Sequence, residues 1–260
     1  MMIPSQVVFV LEMTRRDFVE RFAGSVLGSL WLVIWPLVNM FVYIVIFGQL
    51  MGGRLPGTSD MSAYGVYLAV GLIPWMSFSN TVIRSSSIFL DKKGVISKVK
   101  TNLPALLVYV NLSEIVTFLI SMVVIFIILM LKRWSFNLQL LLLLAFVYYL
   151  QQIFAMGIGL MAASLTVFVR DIKEILGVVL QLWFWFTPIV YVKDILPDIV
   201  KKIMILNPMM PVIEAFHKIF VYNKAPDFIA LLVLTVVAHC LLFLAYVMFR
   251  YLEKDIRDFL

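Results

Sequence analysis

The feature that most limits this chain is a run of 18 residues, Ile175 to Val192, without one charged side chain. At ~1.5 Å per residue a helix of that length reaches about 27 Å, close to the ~30 Å hydrocarbon core of a bilayer. A charged turn precedes the run, with Arg170, Asp171, Lys173 and Glu174. Trp183 and Trp185 lie near its middle. Indoles that anchor a membrane helix sit at the two interfaces, where the ring N–H meets water or headgroups. Two at mid-depth point instead to a polar path through the membrane.

Further apolar runs bring the expected spans to six: 30–51, 64–83, 104–131, 138–169, 172–192 and 228–249. Composition agrees, with 63% hydrophobic and only 14% charged residues, against ~25% charged in soluble domains. The fold class expected is therefore an all-α polytopic membrane protein with six transmembrane helices and both termini in the cytoplasm. The net charge of +6 is scattered between spans, so it reads as topology and not as nucleic-acid binding. With this topology the cytoplasmic segments hold 13 Lys and Arg and the outer segments 8. The densest is 84–102, with Arg84, Lys92, Lys93, Lys98 and Lys100 against Asp91. The lone Cys240 rules out a disulfide framework. Gly52 and Gly57 have phosphate-loop spacing, but Thr58 stands where the lysine is needed, so no nucleotide site is read.

Three segments do not span. Residues 5–27 have Leu11, Phe18, Phe22 and Val26 on one side and Glu12, Arg16 and Glu20 on another, the pattern of an amphipathic helix lying in the interface. Residues 84–102 form a basic cytoplasmic connection. Residues 193–227 are broken at Asn207-Pro208 into halves too short to cross, which predicts two short re-entrant or interfacial helices over the outer mouth. His217, within the second half, is expected at a surface or interface. Gly71 and Pro74 predict a break or kink in span two.

Polar and aromatic residues inside spans are the candidate site. Trp35, Asn39 and Tyr43 follow an i, i+4 row in span one. In span five Gln181 and Trp185 share a face, Trp183 lies nearby, and Tyr191 ends the run. Together they are expected to line a pathway. Glu114 is an intramembrane acid, expected as a hydrogen-bonded or ion-paired packing residue. Gln151 and Gln152 require partners inside the bundle, and Gly157, Gly159, Ala162, Ala163 and Ser164 form a small-residue strip for close helix packing.

Several strings, taken in order, carry a family resemblance: Leu27-Gly28-Ser29-Leu30-Trp31 with Trp35-Pro36, Gly71-Leu72-Ile73-Pro74-Trp75, Phe168-Val169-Arg170-Asp171-Ile172, Phe186-Thr187-Pro188-Ile189-Val190-Tyr191, and Asn207-Pro208 with Pro211. Over nearly its full length the chain resembles the ABC-2 transport permeases that export polysaccharides and polyol phosphates. Val169 departs from the family's Phe-Arg-Asp string. The resemblance implies a homodimer bound to two cytoplasmic ATP-binding subunits, with ATP and magnesium on those subunits and no cofactor in this chain. It implies a transport role without enzymatic activity, in the inner membrane. Spans one and five would line a path for a lipid-linked chain such as O-antigen, capsule or teichoic acid. Arg84, Lys92, Lys93, Arg170 and Asp171 would couple to the ATPase, and Asn207, Pro208 and Pro211 would belong to an external gate. Export of a drug or another lipid is the alternative. A membrane-embedded lipid or glycan transferase is more remote, since it needs converging acids, histidines or a nucleophile.

Overall fold

A computed structural model of the chain describes residues 4–50, 55, 61–97, 102–134, 137–193 and 196–260, and these contain helices and no strands. Helix α1 covers Pro4–Phe22, and α2 covers Trp31–Tyr43 and continues as π-helical turns over Ile44–Leu50. The long α3 (Met61–Ser86) leads into two single turns, α4 (Ile88–Asp91) and α5 (Lys93–Ile96). Two 29-residue helices follow, α6 (Leu103–Leu131) and α7 (Leu138–Thr166). Then come α8 (Ile172–Trp185), α9 (Asp198–Met204), α10 (Met210–Phe220) and α11 (Phe228–Phe259). Lys98, Lys100 and most of the 52–60 loop lie outside the described residues, as do Asp194 and Ile195.

Five helical stretches are long and apolar enough to cross a bilayer: Gly28–Gln49, Ala63–Ser86, Leu103–Leu131, Leu140–Thr166 and Phe228–Phe259. The stretch expected as span five differs. Helix α8 has 14 residues, about 21 Å, and so falls short of the bilayer on its own. It stops because Pro188 supplies no N–H and disfavours helical backbone at Thr187. Residues 186–193 continue it as turns and bends.

Other boundaries move for local reasons. The interfacial helix expected over 5–27 ends at Phe22, because Gly24 (φ +78°) and Gly28 (φ +52°) take left-handed conformations that reverse the chain. Val26 is left beyond the helix and fully exposed. The last helix runs past residue 249 to Phe259, held by Arg250–Glu253 and Arg257–Glu253 pairs at 2.8 and 3.1 Å. Of the break or kink expected at Gly71 and Pro74, the break is absent: α3 runs through both. Gly71 serves close approach, since a Cβ there would stand 2.7 Å from the His217 ring.

The core is polar as well as apolar. Gln152 accepts from Asn111 at 2.8 Å and Thr81 at 3.2 Å and donates to Ser77 at 3.0 Å; Ser77 also bonds the Tyr148 hydroxyl at 2.8 Å. Gln151 donates to the Pro74 carbonyl at 2.8 Å. One amide network thus ties α3, α6 and α7 together, where lipid offers no partner. The small-residue strip is used on two faces. A Cβ on Gly159 would meet Ser85 of α3 at 2.6 Å, and one on Gly157 would meet the α11 backbone at Leu242 at 3.1 Å. Helix α10 is almost wholly buried, whereas α9 exposes Ile199 and Ile203. His217 is therefore a core residue, not a surface one: it is 4% exposed and stacks on Tyr67 with centroids 3.6 Å apart.

Candidate transport site

Helices α2 and α8 meet through aromatic rings. Tyr43 lies 5.7 Å from Phe184, and Phe47 lies 6.4 Å from Trp185. Between them and α3 is a cavity of about 320 Å³ lined by Asn39, Tyr43, Trp75, Ser79, Gln181 and Trp185, among others. Four residues from the two predicted rows therefore share one hollow, although they are well over a hundred positions apart in sequence. The Asn39 amide donates to the Trp35 carbonyl one turn back, at 2.9 Å. Gln181 and Trp185 are exposed on the outer surface of α8. The hollow offers ring faces, amides and a hydroxyl, with no ionisable side chain but the Tyr43 phenol.

The other predicted residues lie elsewhere. Trp35 is 60% exposed and faces a separate cavity of about 430 Å³ between α2, α3 and α6. Trp183 turns inward, edge-on to Trp75, Phe78 and Phe154, and its indole N–H donates to Asn207 Oδ1 at 2.8 Å. Asn207 in turn donates to the Phe186 carbonyl at 3.1 Å and to Thr187 Oγ1 at 2.9 Å. Tyr191 donates its hydroxyl to the Trp185 carbonyl at 2.6 Å. Pro208 and Pro211 flank the start of α10, with Pro211 in its first turn.

These bonds explain how a helix can end beside the apolar core. The last carbonyls of α8 are met locally, Trp183 by the Thr187 hydroxyl at 2.9 Å and Trp185 by Tyr191. The carbonyls of 186–191 have no helix ladder, and the buried ones need donors. Asn207 serves Phe186, Tyr64 serves Val190 at 2.6 Å, and Tyr67 reaches Pro188 at 3.2 Å and Tyr191 at 3.0 Å. Tyr64 and Tyr67 were missed in the sequence. Their i, i+3 spacing in an apolar helix gives no sign that both phenols face a broken helix more than 120 positions away.

At the opposite end of α3 sits a charge cluster. Arg84 bonds Glu114 at 2.5 Å and Asp17 at 2.6 Å; Arg21 bonds the same two acids, each at 2.9 Å. Glu114 is 1% exposed, so it is the ion-paired packing residue expected. Lys92 reaches Glu20 of α1 at 3.1 Å, and Lys93 reaches the Phe259 carbonyl at 3.4 Å. Arg170 and Asp171 are exposed in the α7–α8 turn, close to Phe168, whose ring packs edge-on to Phe259 at 5.1 Å. Helices α1, α3, α4, α5 and α6, the α7–α8 turn and the end of α11 thus share one end of the bundle.

Comparison with known proteins gives the same outline. The chain is 27% identical over 255 residues to the O-antigen export system permease protein RfbA of Myxococcus xanthus, covering 96% of this chain and 94% of that protein. It is 28% identical over 209 residues to the RfbA permease of Klebsiella pneumoniae, covering 80% and 78%. With the polysialic acid transport protein KpsM of Escherichia coli it shares 23% over 253 residues, covering 96% and 95%. The model of ABC-2 type transporters matches residues 9–221, from within α1 to just past the end of α10. A multi-pass membrane protein on this evidence of fold and sequence together, the chain belongs to the ABC-2 type transporter family.

Proposed function

We propose that the chain is the membrane subunit of an ATP-driven exporter that moves a lipid-linked polysaccharide across the inner membrane, working as a homodimer with two ATP-binding subunits. The hollow between α2 and α8 carries this reading. Sugars present C–H faces that stack on aromatic rings and hydroxyls that need partners, and Tyr43, Trp75, Trp185, Asn39, Ser79 and Gln181 offer both within one cavity. Exposed apolar residues on the two helices, Phe41 of α2 and Ile175, Val178 and Leu182 of α8, supply a surface for a second copy. The names of the relatives, O-antigen export and polysialic acid transport, agree with the substrate class.

In this arrangement α8 and the turns after it complete a crossing, α9 and α10 cover the outer mouth, and the Arg84 end faces the cytoplasm. The basic residues of α4 and α5 and the α7–α8 turn then meet the ATPase. Lys93 is the better probe of that contact, because it makes a long bond to the Phe259 carbonyl at 3.4 Å, whereas Lys92 is ion-paired with Glu20 at 3.1 Å. The test of the pathway is a Gln181→Ala, Trp185→Ala double variant in cells making the native glycan. At equal expression it is expected to lower surface glycan and accumulate lipid-linked glycan inside. Unchanged surface glycan would remove the hollow from the path. Normal surface glycan after deletion of the gene itself would favour export of a drug or another lipid.

A further inference from the structure

A second cavity, of about 350 Å³, lies where the α8 exit meets α10, and its chemistry is unlike that of the first. Lys193, Lys218 and Lys224 line it, with Glu214, Tyr67 and Pro188. Tyr67 and Arg84 are 17 positions apart on the unbroken α3, about 26 Å by helical rise. The cavity is therefore at the end of the bundle opposite the Arg84 cluster.

Its lysines are brought together by the fold. Asn223 takes a left-handed conformation (φ +53°) and turns the chain back, so that the Lys224 N–H donates to the Lys218 carbonyl at 2.8 Å. Lys193 arrives from the α8 exit and pairs with Glu214 at 3.0 Å. Lys218 and Lys224 form no salt bridge among the described residues. Three lysines thus line a cavity with one carboxylate, which is paired with Lys193. Next to a low-dielectric bundle such a surplus repels itself more strongly than in water, and a bound anion would relieve it. The positive-inside rule also disfavours lysines gathering at an outer surface, so their convergence calls for a counter-charge.

We propose that this cavity binds a single phosphate or carboxylate, carried either by an acidic unit of a chain leaving the protein or by the headgroup of a neighbouring lipid. The lysines act as point charges and the Tyr67 and Pro188 rings form the apolar wall. The proposal goes beyond the export reading but rests on it for the outward orientation of this end; the binding test below is separate from the surface-glycan test, so either can fail alone.

The test uses the full-length permease in phosphatidylcholine nanodiscs, with amine labelling of each lysine followed by mass spectrometry. Inorganic phosphate or glucuronate, compared with chloride at equal ionic strength, is expected to slow labelling of Lys218 and Lys224 several-fold. Exposed Lys132 and Lys202 should not respond. Glucose, a neutral control, should have no effect. If the soluble anions protect, the site accepts a free acidic group. If only phosphatidylglycerol nanodiscs protect, the occupant is a lipid headgroup. If neither protects, the proposal is wrong. In a Lys218→Gln, Lys224→Gln variant the protection of Lys193 should be lost, and its persistence would also overturn the assignment.

Discussion

Glu114 is held by two guanidinium groups from different helices, Arg21 of α1 and Arg84 of α3. Breaking a fully buried pair costs about 3–5 kcal/mol; here both arginines keep Asp17 and are partly exposed, so only a part of that cost is expected. Glu114→Gln should therefore lower thermal stability in detergent and loosen α1 from the bundle, which protease sensitivity near residue 22 would report. An unchanged melting temperature would show that the arginines reach water. Asn207 is the second such residue. It serves Trp183, Phe186 and Thr187 at once, and Asn207→Ala removes these three bonds, of which those to the Trp183 indole and the Thr187 hydroxyl are part-buried. A loss of about 0.5–1.5 kcal/mol per part-buried hydrogen bond is expected, seen as a lower melting temperature. Glu114 was legible in the sequence, since an acid inside a span must be paired. Its partners were not: Arg21 and Arg84 look like ordinary basic flanks.

Helix α7 packs on α3 and α11 through glycines. A Cβ at Gly159 would fall 2.6 Å from the Cβ of Ser85, on a helix held by the Gln152 network, so the two backbones must separate. Gly159→Val is expected to destabilise the protein by about 1–3 kcal/mol, the usual cost of overpacking. Gly177, in α8, has open space around it, and Gly177→Ala should be tolerated. Equal melting temperatures for the two variants would contradict this packing. The small-residue strip and the two glutamines were readable because lipid leaves polar groups and close contacts few alternatives. The continuity of α3 was not readable. Gly71-Pro74 carries the local signature of a kink, and only the packing of His217 against Gly71 shows the other use of that glycine.

The exposed apolar face of α8 yields a prediction for the assembled protein. With Cys240 replaced by Ser, a single cysteine at Val178 should form a disulfide-linked dimer in membranes after mild oxidation, whereas one at Val237 on α11 should not. Both positions are exposed in the single subunit. The reverse result would place the partner on α11 and dissolve the α2–α8 pathway at the interface. Such a pathway also requires the Arg84 end to meet the ATPase: Lys93→Glu should reduce ATPase co-purification while leaving the Lys92–Glu20 pair intact.

The membrane class, five of the six expected spans, the two short helices after α8 and the need for internal partners follow from the chain alone. Apolar length and buried polarity are local properties, and a bilayer punishes their violation wherever the segment goes. The end of α8 was half visible in Thr187-Pro188. The proline shows where a helix loses its hydrogen bonds, but not which side chains take up the carbonyls of the turns that follow. That task falls to Tyr64, Tyr67 and Asn207, which come from two other segments. The gathering of Asn39, Tyr43, Gln181 and Trp185 in one hollow, and of three lysines in another, likewise depends on how distant helices pack. The reason is physical: one helix sets which residues share its face, but the surface that face meets depends on the other helices.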